Sequence, residues 1–195
     1  MSPSPDALPG TPPSPRNASQ STLWTDPARE AAFNGWLAGM AAAQGLKPAS
    51  VRLASADASF RRYLQVDSTD TQVGRRIIMD APPDKENCRS FVEVAQLMAQ
   101  AGLNVPEVLA WDEARGFMLL TDLGDKTMMQ VINRDNPQAN HSLYMQAVDT
   151  LITLQLASKP GVLPPYDEAL LRRELALFPD WYLAKHRGVA VEGEV

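Results

Sequence analysis

Residues 51–125 read VRLASADASFRRYLQVDSTDTQVGRRIIMDAPPDKENCRSFVEVAQLMAQAGLNVPEVLAWDEARGFMLLTDLGD, and this stretch decides the fold. Val51-Arg52-Leu53-Ala54 and Tyr63-Leu64-Gln65-Val66 read as two short strands around a polar loop from Ser55 to Arg62, with apolar groups alternating along the second. A turn-rich stretch from Asp67 to Gly74 leads to a third strand, Ile77-Ile78-Met79, closed by Pro82-Pro83. From about Asp84 to Ala101 the pattern is an amphipathic helix, with Phe91, Val94, Ala95 and Met98 on its apolar face and Gly102 as C-cap. Val105 to Trp111 and Phe117 to Leu120 then pair across Asp112-Glu113-Ala114-Arg115-Gly116, which has hairpin-turn composition. Three strands, a helix and two more strands predict an α+β unit, an antiparallel sheet plus a helix.

Outward from this unit the chain is helical. Upstream, Asp26 reads as an N-cap with Pro27 at the first helical position, and Phe33, Trp36, Leu37 and Met40 recur at helical spacing until Gln44-Gly45. Before it, residues 1–21 hold six prolines among Ser, Gly, Asn and Gln, a composition that predicts a disordered tail. Downstream, a short helix is expected from about Thr127 to Ile132. A longer one runs from about Ser142 to Leu156 with Leu143, Ala147, Leu151 and Leu154 on its core side. After the Pro160–Pro165 break, Tyr166 to His186 is a further helical region, interrupted or kinked at Pro179.

Composition narrows the function classes. The chain has 195 residues, 45% of them apolar, which predicts a buried core over most of the length. A net charge of −5 without a Lys/Arg run argues against nucleic acid as a partner. The sequence shows no 18-residue apolar segment and no basic start followed by an apolar stretch, so a cytoplasmic location is expected. Cys88 is the single cysteine, so no internal disulfide forms. At a helix start its thiolate would be favoured, but no general base lies near it in sequence, and a plain helix residue is the simpler reading.

A strand–loop–strand with a small, polar loop can fold over nucleotide phosphates, because backbone N–H groups then approach the phosphate oxygens. Ala58, Ser59 and Phe60 fit such a loop, with Ser59 as a hydroxyl donor and Arg61 and Arg62 placed to supply positive charge. The loop has no glycine, and no GxxxxGK[ST] motif occurs, which excludes a P-loop. An ordinary hairpin explains the same composition. The continuation favours the nucleotide reading: Leu119 to Gly124 ends a strand and opens a polar connector, which in kinase-like folds is the hinge that hydrogen-bonds adenine. Asp122-Leu123-Gly124 is not a metal-binding Asp motif, since no catalytic loop precedes it.

Four segments then carry a resemblance: Leu53 to Tyr63, Met79-Asp80-Ala81-Pro82-Pro83, Ala101 to Val108, and Leu120-Thr121-Asp122-Leu123-Gly124-Asp125. They resemble the aminoglycoside phosphotransferase family, most closely its bacterial anomeric kinases of N-acetylmuramic acid and N-acetylglucosamine. Leu175 to Tyr182 is also similar to that branch. The resemblance implies a two-lobed, protein-kinase-like fold that uses ATP and Mg²⁺ to phosphorylate an amino-sugar hydroxyl. It implies a small lobe over residues 22–122, then a hinge and the first helices of an incomplete large lobe over residues 123–195. Nucleotide contacts are expected from Ala58, Ser59, Phe60, Arg61, Arg62, Asp80, Glu93, Asp122, Leu123 and Gly124, and a sugar contact from Glu174. Arg172, Arg173 and Glu174 equally suit a solvated helical face.

The sequence departs from that family in three places. Asp80 occupies what reads as the basic position of the third strand, so the usual pair with Glu93 does not form; the carboxylate either binds Mg²⁺ or an arginine such as Arg61 or Arg62, or caps the turn into Pro82-Pro83. No His-x-Asp with a downstream Asn occurs, since His141 is followed by Ser142-Leu143 and His186 by Arg187-Gly188. No metal-binding Asp motif follows. The expectation is a partial sugar kinase that does not turn over by itself. The alternative is a nucleotide-binding or interaction module, self-associating through an apolar surface at Tyr166–Leu183.

Overall fold

The computed structural model describes residues 23–56 and 60–189. The expected tail over residues 1–21, together with Ala58 and Ser59, lies outside the described residues. The chain divides into two units, one reaching Leu154 and one starting at Gln155.

In the first unit, helix α1 (Pro27–Ala41) starts where Asp26 caps it: the Asp26 carboxylate accepts from Ala28 N–H at 2.8 Å, and Pro27 sits at the first turn. Strands β1 (Leu46–Ala56), β2 (Arg62–Ser68), β3 (Arg75–Asp80), β4 (Val108–Asp112) and β5 (Phe117–Thr121) form one sheet in the order β1-β2-β3-β5-β4, antiparallel throughout. Helix α2 (Arg89–Gln100) connects β3 to β4. This is the α+β arrangement expected from the sequence.

Two differences from the expected elements have local causes. β1 is longer than Val51–Ala54 and runs through Pro48; it is an edge strand, and its pairing with β2 slips between Lys47 and Arg52, where a missing N–H costs nothing. Helix α2 begins at Arg89 rather than Asp84. Lys85 and Glu86 N–H groups both donate to the Pro82 carbonyl, closing a turn, and the Asn87 side chain accepts from Arg89 N–H to start the helix.

Strand alternation gives the sheet two covered faces. Leu64, Val66, Ile78, Phe117 and Leu119 pack with Phe33 and Leu37 of α1. Met79, Ala81, Met118 and Leu120 form the opposite cluster with Phe91 and Val92 of α2. A register shift between Val108 and Ala110 puts both Leu109 and Ala110 against the α1 cluster, as a bulge does.

Asp80 sits at the heart of the α1 face. Its side chain is 1% exposed, and Arg29 Nε donates to Oδ1 at 2.9 Å while Arg62 Nε donates to Oδ2 at 3.1 Å. Each arginine adds a second bond through Nη2. The guanidinium groups also stack, Arg29 lying 4.5 Å from the Phe117 ring centroid and Arg62 4.3 Å from that of Trp24.

Further along, α3 (Met128–Val131) opens with a reciprocal capping box between Thr127 and Gln130. Helix α4 (His141–Ala157) follows a 3₁₀ turn at Pro137–Asn140. Leu143 and Leu154 are half-buried, but Ala147 and Leu151 are exposed, so α4 lacks the buried side its pattern predicts. In the second unit, α5 (Glu168–Leu177) is capped by Asp167 and passes into a π-helical segment, Phe178–His186. Pro179 has no N–H to continue the α ladder, and the wider winding absorbs it, which is the interruption expected there. Among the described residues no helix is long and apolar enough to cross a membrane.

Two substitutions test this packing. Asp80→Ala leaves Arg29 and Arg62 facing each other without their carboxylate, and about 3 kcal/mol of stability should be lost in a denaturant melt. Gly116 has φ +71°, and a Cβ there would lie 1.9 Å from the Ala81 carbonyl oxygen, which is backbone and cannot turn aside. Gly116→Ala should therefore cost about 2 kcal/mol or more and lower the melting temperature by roughly 5 °C.

Candidate functional site

Arg61 and Arg62 are adjacent in sequence and are used on opposite faces of the sheet. Arg62 joins Asp80 and α1, and its Nη1 donates to the Leu23 carbonyl. Arg61 joins the loop that enters α2. The β3 residue that faces α2 is Met79, fully buried, and not Asp80. Asp80 and Arg62 are thus held on the α1 face, away from α2. The expectation of Asp80 at the basic position of a nucleotide-facing surface is corrected by strand parity, and its turn-capping role by the two arginines that occupy its oxygens. Of the arginines proposed to neutralise it, Arg62 does so, together with Arg29, which the sequence reading did not include. Glu93 lies exposed on α2.

At the exit of the β1–β2 loop a second cluster forms around Glu86. Phe60 N–H donates to Glu86 Oε1 at 3.1 Å, and Arg61 Nε donates to Oε2, also at 3.1 Å. The Glu86 side chain is 13% exposed and that of Arg61 25%. Lys85 Nζ lies 4.6 Å from the Phe60 ring centroid. Burial alone would lower the Arg61 pKa, but the Glu86 carboxylate and the Tyr63 hydroxyl outweigh it and raise it, keeping the guanidinium charged. Glu86 was missed in the sequence because it reads as part of the α2 helix; the available signal was Asn87, a good cap residue just before Arg89.

Cys88 lies beside this cluster and is buried. Burial pushes its thiol pKa up; Arg61 opposes this and Glu86 adds to it. Burial thus disfavours the helix-start thiolate considered from sequence.

At the other end of the sheet, the connector after β5 is tied to the first residue of β3. Arg75 Nε lies 3.0 Å from Asp122 Oδ2, and Arg75 Nη1 lies 3.9 Å from an Asp125 oxygen. Gly124 N–H donates to Asp122 Oδ1 at 2.8 Å, and Gly124 has φ +98°, a conformation that needs glycine. Asp122 Oδ2 is buried and, although in ion contact with Arg75, is outside hydrogen-bond geometry. Leu123 on the connector and Leu53 on β1 are both more than half exposed.

The sheet therefore carries a loop cluster in which Arg61 and the Phe60 backbone are held by Glu86, and a connector, Asp122 to Gly124, with an exposed apolar residue and a carboxylate paired with Arg75. Among the described residues no group of three or more His, Cys, Asp or Glu side chains is gathered to hold a metal ion. In the second unit, Glu174 is exposed and pairs with Arg173 at 3.3 Å. Phe178, Trp181 and Tyr182 are exposed, with Phe178 and Tyr182 stacked at 5.3 Å.

The sequence profile of the phosphotransferase enzyme family, APH, matches residues 50–192. An N-acetylmuramate/N-acetylglucosamine kinase of Pseudomonas aeruginosa is 48% identical over 177 residues, which are 87% of this chain and 51% of that protein. The kinase of the same name in Pseudomonas putida is 42% identical over 173 residues, 87% of this chain and 47% of its own length. That of Neisseria meningitidis serogroup B is 40% identical over 137 residues, covering 69% of this chain and 40% of its own length. The chain spans about half the length of these curated relatives.

The state of Cys88 is open to a direct check. Titration with a thiol-specific disulfide reagent at pH 8 should label the folded chain at least about tenfold more slowly than the urea-unfolded chain, because both the accessible surface and the thiolate fraction fall on folding.

Proposed function

The chain belongs to the phosphotransferase enzyme family, and from that premise we propose that it carries the nucleotide-binding part of an ATP-dependent amino-sugar kinase. The observation that carries this reading is the pairing of the Arg61–Glu86 cluster with the Asp122–Gly124 connector at opposite ends of one antiparallel sheet. Phosphoryl transfer rests on positioning and on neutralising charge, and both need groups held in place before the nucleotide arrives. ATP with Mg²⁺, when bound, would supply the transferable phosphoryl group. On this reading Phe60 and Arg61 lie toward the phosphates, the connector meets adenine, and Leu123 offers apolar contact to the base. Ala58 and Ser59 belong to the same loop by sequence.

The acceptor is taken from the relatives' name, N-acetylmuramate/N-acetylglucosamine kinase: an N-acetylated amino sugar whose hydroxyl takes the phosphoryl group; a role in recycling cell-wall sugars in the cytoplasm is part of the same proposal. Glu174 is the proposed hydroxyl contact. On this reading the described residues contribute nucleotide binding. Tyr144, Met145, Leu151 and Ile152 of α4 are exposed apolar side chains. A second reading, a non-catalytic interaction module, rests on the exposed apolar side chains of the Tyr166–Leu183 segment, among them Phe178, Trp181 and Tyr182, which then mediate self-association.

Calorimetric titration of ATP–Mg²⁺ into the chain tests the proposal. Binding at one site should appear with submillimolar affinity, and saturating nucleotide at about 100 times Kd should stabilise the fold by about 2.7 kcal/mol. Absence of both heat and stabilisation would remove the nucleotide assignment. A sedimentation profile that shows concentration-dependent dimers indifferent to ATP would favour the module instead.

A further inference from the structure

The turn after β3, the start of α2 and the β4–β5 turn enclose a cavity of about 320 Å³. Small-molecule pockets run from roughly 300 to 1,000 Å³, so this one suits a compact ligand. Ala81 and Gly116 line it with their backbone donors already spent: Ala81 N–H donates to the Gly116 carbonyl at 2.9 Å, and Gly116 N–H to the Asp112 carbonyl at 2.7 Å. The lining carboxylates are also engaged. Glu86 accepts from Phe60 N–H and Arg61, and Glu113 is paired with Arg89. Lys85 lines the same cavity, and among the described residues its ammonium meets no carboxylate; its contact is the Phe60 ring, 4.6 Å away. An exposed cation–π contact is weaker than a charge-assisted hydrogen bond, so an anion can draw the ammonium off the ring.

Two further lining residues add donors. Asn87 accepts from Arg89 N–H through Oδ1 at 3.0 Å, which leaves its amide NH₂ without a partner among the described residues. Trp111 contributes its indole, whose Nε1–H is the one buried side-chain donor lacking an acceptor among the described residues. Native structures rarely tolerate such a donor without a compensating role. The nitrogen is covered, so the indole turns slightly as it gives its proton to a ligand. We infer that this cavity is a binding site for a small flat-ring compound bearing one anionic group, the anion held by Lys85 and the Asn87 amide and the ring by the Trp111 indole. Carboxylate and phosphate share the chemistry that Lys85 and Asn87 recognise. The inference stands apart from the nucleotide reading, since none of these three side chains has a part in it.

Titrations followed by the NMR signals of the backbone amides and indoles test the site. The probes are benzoate and phenyl phosphate, with acetate as an anion lacking a ring and benzyl alcohol as a ring lacking charge. The Trp111 indole signal is identified by its loss in Trp111→Phe. At least one ring-bearing anion should move that signal and saturate in the millimolar range, at least about fivefold tighter than acetate or benzyl alcohol, and the tighter of the two tells carboxylate from phosphate. Lys85→Met should weaken that binding about fivefold. Glu113→Gln should tighten it about twofold, because a carboxylate leaves the rim and Arg89 is released. Lys85 and Glu113 are exposed, so both variants should keep the fold, which a thermal melt checks. A Trp111 signal that neither ring-bearing anion moves, or binding indifferent to both substitutions, would overturn the site. Acetate binding as tightly as benzoate and phenyl phosphate would mark general surface attraction and overturn it as well.

Discussion

The buried Asp80 carboxylate is the constraint from which the rest of the first unit follows. A carboxylate in an apolar sheet interior is tolerated only when paired and hydrogen-bonded, and here both of its oxygens are occupied by arginines from distant parts of the chain. Arg29 brings α1 across the sheet and Arg62 ties the start of β2 to the end of β3, in the register where Arg62 lies opposite Asp80. Once Asp80 is committed to the α1 face, strand alternation puts Met79 toward α2. It also puts Arg61 on the opposite side from Arg62. One ion triad thus determines on which face of the sheet each of two adjacent arginines is used.

Much of the fold was legible because its signals are local. Asp26-Pro27, the hairpin composition at Asp112–Gly116 and the two-residue period of Tyr63–Val66 each specify an element without help from the rest of the chain. Errors fell where tertiary contacts override local preference. Pro48 reads as a strand breaker, yet it lies inside β1 because the outer edge of a sheet does not need its N–H. Asp84 to Cys88 has helical composition, but Glu86 is drawn into contacts with Phe60 and Arg61 that require a turn. On α4, apolar spacing was read as a buried side, while Ala147 and Leu151 are exposed.

The site was legible as a neighbourhood and less so as a set of side chains. The β1–β2 loop and the Asp122–Gly124 connector were both identified, since loop composition and strand order point to them. Facing could not be read with equal certainty: Asp80 was assigned to the ligand surface because the third strand was known but its parity was not. Glu86 and Arg29 were invisible for a related reason. Each acts on a partner at least 25 residues away in sequence, and no motif links the two.

Pro48 and the slipped pairing of β1 also bear on how this protein behaves in a crowded solution. A straight outer strand would offer a regular row of unsatisfied amides and carbonyls, a template for another chain to add to the sheet. Here that row is broken by a residue with no amide hydrogen and by an irregular backbone between Lys47 and Arg52. The same departure from ideal geometry that hid the strand in the sequence protects the sheet from growing into a fibril.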